Sequence, residues 1–535
     1  MTAHSTLAAL TQAVASDMAS NGLSRATQVA MRCLEETPEC VFDLVELIAK
    51  EHRKKRSRAD MMGAYALLLA HALEWLRYGV ERDAASSIAV VERLRMTLLD
   101  LGETDRIGAP ILLLVLNQFA AAKLDIGDAL RQLMQRLMAT DADALDALRP
   151  GEDAADPGSL ADLVEHDAFA IHTLLDQSAE ALPEDLRAGL VIGLLREKEP
   201  AMREAAVGFL LNGSSLVRSK LTKQIGSAAQ RGLVSPIMLR RMISVRNWLP
   251  AADQPTLDKA ITACRRQDVA CAPWPQPRAI EVLASEVDGS GAQTVLAVAR
   301  DGRKRTLAGL LVKQGVGVRD AWVRRSVTKA ELRGLLDEVK GEIGIAPSSI
   351  DHAAIVTRHF LAINAESGAM PPFGVLDFAE TVGLADLNPD PWSPERLAAS
   401  LCDAMDPARL SQEAVAETMR DSADWAEEHP MVASWFEPDL GEALGSRRAP
   451  RDKQRAVLLL GSLQSHRRRW AEIAAWTSLG LKYRTGDNDW EGFAVLAREL
   501  LGHRPLDEIG IMKLIADTSL SVHSMQHLVG AAHPA

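Results

Sequence analysis

Residues 199–221 read Glu199-Pro-Ala-Met-Arg-Glu-Ala-Ala-Val-Gly-Phe-Leu-Leu-Asn-Gly-Ser-Ser-Leu-Val-Arg-Ser-Lys-Leu221, and this stretch decides the fold class. Glu199-Pro200 opens a helix, because proline is tolerated where the first N–H groups have no intrahelical partner. Gly213-Ser214-Ser215 ends it and opens the next. The same punctuation recurs on either side. Pro183-Glu184-Asp185 opens the preceding helix, Ser235-Pro236 a following one as N-cap and first helical residue, and Asp253 with Pro255 another. Residues Pro183 to Cys264 therefore read as helices of roughly 12–18 residues joined by short turns.

Pro200-Ala-Met-Arg-Glu-Ala-Ala206, followed by Phe209-Leu210-Leu211, resembles a HEAT-type repeat, in which a proline and an arginine sit near a helix start. The resemblance covers roughly 100 residues and consists mostly of packing positions. It implies an architecture and no functional residue: stacked helical hairpins forming a curved α-solenoid that binds partners along one face.

Composition agrees with a helical chain. Aromatic residues are only 4% of the 535, and a chain poor in aromatics but rich in Ala and Leu favours helices over sheet sandwiches. One core cannot serve such a length, so several units or a continuous array are expected. The expected organisation is an N-terminal helical domain over 1–150, HEAT-like repeats over 155–272, a β-meander insertion over 276–325, an acidic helical region over 326–446 and a C-terminal helical domain over 447–535. Pro150-Gly151 to Gly158 reads as the first linker.

In the first domain Ala64, Leu67, Leu68, His71, Ala72 and Trp75 recur at three- and four-residue steps, which predicts one apolar helix face with Asp60 as N-cap. Met61–Leu76 and Ile107–Ala122 are too short and too polar for membrane spans and read as buried helices. Met1 to Ser20 lacks a basic region followed by an apolar block, so no signal peptide and no membrane association are expected. Cys33, Cys40, Cys264, Cys271 and Cys402 are odd in number and sparse. They predict small buried hydrophobes in a reducing, cytoplasmic setting.

Ala279 to Val312 breaks the helical pattern. Apolar runs at Ile280–Val287, Val295–Val298 and Leu307–Val312 are separated by Asp288-Gly-Ser-Gly291 and Asp301-Gly302. This predicts a three-stranded antiparallel meander over about 279–313. Helix returns at Thr328, where Glu331 completes a capping box ahead of Leu332, Leu335, Leu336 and Val339. Another helix is expected from His352 to Ala365. In the last domain Val457–Leu463, Trp470–Leu481, Trp490–Leu501 and Ile509–Ile515 are helix-periodic, with Trp470, Trp476 and Trp490 as core.

Charge is the most distinctive feature. From Asp141 to Asp185 there are 13 acids against Arg149 alone, whereas no acid lies between Glu204 and Asp253. That second interval carries Arg218, Lys220, Lys223, Arg231, Arg240, Arg241 and Arg246. On the helix opened by Ser235, Met238, Met242 and Val245 form the apolar stripe. Arg240 and Arg241 then point away from it, and Arg246 at its edge requires a carboxylate or carbonyl. Further on come Arg447, Arg448, Arg451, Lys453 and Arg455, then Arg467, Arg468 and Arg469, whose guanidinium forks match anions.

No phosphate-binding loop, nucleophile elbow, zinc-protease helix or calcium loop is present. No cofactor, metal site or catalytic residue is predicted. Gly315-Val-Gly317 is a turn, since Asp320 replaces the third glycine of a dinucleotide fingerprint. His166 with Asp162, His172 with Asp176, and Asp424 with Glu428 and His429 read as solvated faces. The first expectation is a non-catalytic scaffold or adaptor for a protein partner, using Arg218, Lys220, Lys223, Arg240, Arg241, Arg246, Arg467, Arg468 and Arg469. A second is nucleic-acid binding on the 205–252 face. A third is an enzyme whose pocket gathers Asp288, Arg319, Asp320 and Trp322.

Overall fold

The computed structural model describes residues 3–20, 25–54, 58–81, 84–140, 162, 164–276, 279–301, 304–437, 460–484 and 489–531. The linker at Pro150-Gly151, most of the acidic run from Asp141, and the basic run Arg447 to Arg455 lie outside these residues. The chain is mainly α-helical with one small antiparallel sheet. It forms two compact units: Met1–Met238 with Lys259–Val269, and Leu239–Asp258 with Ala270–Ala535.

In the first unit the helix Ala59–Glu81 is surrounded by Ala3–Ser20, Arg25–Glu36, Cys40–His52, Ala85–Glu103 and Ala109–Ala121. Its buried face is Met61, Ala64, Tyr65, Leu68, Leu69, Ala72, Leu73 and Leu76. The expected face was rotated by one position, because Leu67 and Trp75 are exposed. Apolar residues on nearly every side of this helix leave periodicity unable to choose between the two faces. The helix begins at Ala59, so Asp60 is inside its first turn and paired with Arg58 rather than capping it.

The helix starts read from the sequence have physical caps. Glu199 accepts from Ala201 N–H at 3.4 Å, Ser214 Oγ from Val217 N–H at 3.3 Å, and Ser235 Oγ from Met238 N–H at 3.1 Å. The helix Pro200–Ala206 tightens into a 3-10 turn, Val207–Leu211, before ending. Packing skips one neighbour each time: Ala168–Glu180 rests on Pro200–Ala206, and Glu184–Leu194 on Ser215–Gln230.

The second unit contains the sheet. Its strands are β1 (Ala279–Ser285), β2 (Ala292–Asp301), β3 (Lys304–Lys313), β4 (Gly317–Arg324) and β5 (Ile345–Ser348), in the order β4-β3-β2-β1-β5. The meander thus has two strands more than expected. β4 escaped notice because Arg319, Asp320 and Arg324 break its apolar pattern, and β5 because it has four residues, one of them Pro347. Proline lacks the ladder donor and is tolerated on an edge strand, which β5 is.

One sheet face is covered by the helix Lys329–Ile343, whose Thr328–Glu331 capping box is formed on both sides. Leu332, Leu335 and Leu336 meet Val298 and Leu307, while Leu336, Val339 and Ile343 meet Leu283, Leu296 and Ile345. The helix Gly374–Val382 packs on β4. The β1–β2 turn is closed by Asp288, which accepts from Ser290 N–H and Ala292 N–H at 2.8 Å each. Its next residue, Gly289, donates to Ser434 Oγ at 3.0 Å. A methyl group at Gly289 would stand 2.0 Å from the Ser434 carbonyl oxygen.

Helices Arg467–Lys482 and Trp490–Leu501 bury Trp470, Trp476, Phe493 and Leu496 together. Trp490 is only half-buried, under Lys482, and is not the core residue expected. Among the described residues no helix is long and apolar enough to cross a membrane. All five cysteines are free thiols, with Cys40, Cys264 and Cys402 buried. Because backbone, not a flexible side chain, faces Gly289, the substitution Gly289→Ala is expected to lower stability by about 1–3 kcal/mol. The urea-unfolding midpoint reads this; an unchanged midpoint contradicts the close approach.

Candidate functional site

The basic face dissolves into internal bonds. Arg218 is buried, and its Nη1 donates to the Asn212 and Gly213 carbonyls at 2.7 and 2.9 Å. Lys220 pairs with Asp185 at 2.6 Å, and Lys223 is exposed. Arg240 and Arg241 were expected to point to solvent but are only 8% and 6% exposed. Glu380, on the helix Gly374–Val382, takes both: Arg240 Nη2 at 2.8 Å, and Arg241 Nε and Nη2 at 2.9 and 3.0 Å. Arg240 Nη1 also donates to the Pro273 carbonyl at 2.7 Å. Burial opposes the Glu380 charge, but the two guanidiniums outweigh it and hold the carboxyl below its usual range. Arg246 finds the carboxylate it required in Asp258, at 3.0 and 2.7 Å.

The arginine triplet behaves likewise. Arg467 is buried and donates to the Leu500 and Glu499 carbonyls, closing the end of the helix Trp490–Leu501. Arg468 meets Glu395 at 3.0 Å on the surface. Arg469 meets Glu437 at 2.7 Å and the Gly289 carbonyl. The residues named for an enzyme pocket are not brought together. Asp288 closes the β1–β2 turn, whereas Arg319, Asp320 and Trp322 lie on β4, with Trp322 across Gly309 of β3. His166 lies within 3.2 Å of Asp162 and 3.4 Å of Glu199, while His172 is buried against Phe209. Among the described residues no group of three metal-ligating side chains gathers.

A different place collects polar groups. A narrow crevice, with a volume of about 10 Å³ or room for about one water molecule, lies where β1 and β5 meet the C-terminal half of the helix Arg467–Lys482. Ser285, Glu286, Ser348, Thr477, Gly480 and Arg484 are among the residues that line it. Arg484 Nη1 donates to Glu286 at 3.1 Å, and His429 Nδ1 lies 3.5 Å away from the same carboxylate. Burial works against ionised Glu286, but His429 and Arg484 prevail and keep it below the usual carboxylate range. Behind the lining, Gln293 Nε2 donates to the Ser285 carbonyl and His352 Nδ1 is 2.9 Å from Ser348 Oγ. Three buried atoms there have no hydrogen-bond partner: Thr477 Oγ1, Gln293 Oε1 and His352 Nε2.

Two histidines join the helices on either side. His352 and His359 lie two turns apart on Ile350–Ser367, and Trp476 and Tyr483 are equally spaced along the opposing segment. His352 stacks on Tyr483 at 5.9 Å and His359 on Trp476 at 4.4 Å, so the helices run antiparallel. Burial pushes both imidazoles down to about 4; the charge of Asp390 only partly offsets this at His359. Sequence reading missed the arrangement, although the matched seven-residue spacings were its available signal.

Two outcomes follow. Glu380→Gln leaves two buried guanidiniums without a counter-charge and is expected to cost on the order of 3 kcal/mol in urea unfolding; a loss under about 0.5 kcal/mol contradicts the pairing. The unfolded histidines bind protons near pH 6.5 and the folded ones only near 4. Stability is therefore full above the unfolded value and falls as pH drops from 6.5 towards 4, by on the order of 3 kcal/mol per histidine. A flat unfolding midpoint between pH 6.5 and 5, above the range of the paired carboxylates, would refute this.

Residues 395–524 match the family described as Y4lR C-terminal helical domain, and residues 183–268 match Y4lR second domain. The sheet lies outside both segments. No solved structure matches. The chain is similar to the protein named Uncharacterized protein y4lR from Sinorhizobium fredii (strain NBRC 101917 / NGR234), at 27% identity over 364 residues, covering 66% of this chain and 68% of that relative.

Proposed function

We propose that the chain is a non-catalytic scaffold or adaptor that binds a protein partner on its first unit. One observation carries the reading. Leu67, Trp75 and Tyr78 remain exposed on the helix Ala59–Glu81, the two rings at 46% each, while the other side of the helix is buried by its neighbours. Their spacing of eight and eleven residues from Leu67 places all three on one face. Met18, 46% exposed, packs at Gly63 one turn before Leu67 and extends the stripe. Large apolar side chains aligned and left uncovered are the composition of partner-binding surfaces.

A HEAT-like array over 155–272 forms part of this proposal. Helices that pack on the second neighbour along the chain support it, since stacked hairpins produce that alternation. The free thiols support a reducing, cytoplasmic setting. Nucleic-acid binding is disfavoured, because Arg218, Arg240 and Arg241 are buried and Lys220 is paired.

The test is the double substitution Trp75→Glu with Tyr78→Glu, introduced on exposed positions so that circular dichroism should be unchanged. Proteins retained from native extract by the wild type, identified by mass spectrometry, are expected to fall at least about tenfold with the variant, the loss of a buried aromatic anchor being worth that much. Equal retention by both proteins refutes the surface. Nucleic acid co-purifying at low salt and released at high salt would favour the nucleic-acid reading instead.

A further inference from the structure

We propose that Cys33 and Cys40 are a thiol pair that closes into a reversible disulfide when hydrogen peroxide reaches the folded protein, Cys33 attacking first and Cys40 completing the bond. The pair sits at one corner of the first unit. Cys33 is in the last turn of the helix Arg25–Glu36, and Cys40 opens the helix Cys40–His52. Two backbone bonds shape the corner between them. Thr37 N–H donates to the Cys33 carbonyl at 2.9 Å, and Cys40 N–H donates to the Thr37 carbonyl at 3.0 Å. Pro38, next in the chain, keeps the first helix from running on. The chain folds back here and the two side chains meet: the thiols of Cys33 and Cys40 are hydrogen-bonded to each other. A disulfide forms without backbone movement only where the two side chains already face one another, and a thiol–thiol hydrogen bond requires the same.

Exposure divides the roles. Cys33 is half-buried, whereas Cys40 is 4% exposed and belongs to the apolar core of the unit. A small oxidant can therefore reach the first thiol and not the second. Burial, and after it the neighbouring Cys33, Asp43 and Glu39, pushes the Cys40 thiol up to about 11. Cys40 thus keeps its proton and can donate it to a thiolate at Cys33, the form that attacks. Two of the other cysteines are directed to backbone instead. Cys402 Sγ donates to the Ala494 carbonyl at 4.0 Å, and the exposed Cys271 Sγ to the Ala272 carbonyl at 3.7 Å.

The chemistry balances with the peroxide as oxidant. The Cys33 thiolate attacks one peroxide oxygen and the O–O bond breaks. Cys33 becomes a sulfenic acid, and the leaving hydroxide takes the proton that Cys33 gave up and departs as water. The Cys40 sulfur then attacks the Cys33 sulfur. The S–O bond breaks, the S–S bond forms, and the Cys40 proton leaves with the hydroxide as a second water. Two thiols have lost two electrons and two protons, and the peroxide has become two waters. An external dithiol reverses the step by exchange. In a reducing compartment such a bond is transient, the pattern of redox-sensing rather than structural disulfides.

The experiment is peptide mapping of the full-length protein after a stoichiometric dose of hydrogen peroxide. Trypsin cuts after Arg32 and next after Lys50, so both cysteines fall in one peptide, Cys33–Lys50. That peptide is expected to lose two hydrogens and to resist alkylation, and dithiothreitol is expected to restore it. The folded chain is expected to close the bond at least about tenfold faster than the chain unfolded in urea, because the fold holds the two sulfurs together. In Cys40→Ser, Cys33 is expected to stop at the sulfenic acid and be captured by dimedone. In Cys33→Ser, Cys40 is expected to remain a reduced thiol. If Cys40→Ser does not fold, the comparison of folded and unfolded wild type decides by itself. No disulfide in the folded wild type, closure no faster than in urea, or oxidation of Cys40 at an undiminished rate in Cys33→Ser would each overturn the proposal.

Discussion

Helix ends leave carbonyl groups without partners, and in this chain arginine guanidiniums close them. Arg187 donates to the carbonyls of Ala179, Glu180 and Leu182, at the end of the helix Ala168–Glu180. Arg203 takes those of Glu197 and Lys198, and reaches the Leu233 carbonyl as well. Arg218 and Arg467 do the same for the turns at Asn212–Gly213 and Glu499–Leu500. A guanidinium suits the task because it presents five donors in a rigid plane and holds its water weakly. The consequence is that the turns between helices have one geometry, and the helices stack in one register.

Where carbonyls do not suffice, single carboxylates hold the cations in place. Glu380 serves Arg240 and Arg241 together, and Glu286 serves Arg484 with His429 beside it. The second unit then seats its sheet by close approach of backbone. Gly289 lies against Ser434, and Gly374 against the Ala321 carbonyl, contacts that no side chain could share. Between the helices the imidazoles of His352 and His359 act as neutral aromatic plates, which their desolvation enforces.

Much of the architecture was legible because its signals are local. Glu199, Ser214, Ser235 and the Thr328–Glu331 pair mark helix starts through bonds that span two or three residues. Periodicity located the helices, and the glycine-rich turns located the first three strands. What was not legible depends on distant partners. A helical pattern shows that Arg240 and Arg241 lie off the apolar stripe, but Glu380, 139 residues beyond Arg241, decides that their side is buried. β4 and β5 are strands because β3 and β1 offer them unpaired edges. The crevice draws on residues near 285, 348 and 480, and no local spacing connects these.

The short edge strand has a meaning for assembly. A row of open N–H and carbonyl groups at a sheet margin invites another chain to add itself, and native folds guard against this. In β5 the run is only four residues long and Pro347 withdraws one donor from it. Growth of the sheet by strand addition is disfavoured along that margin, which guards the molecule against edge-to-edge association there.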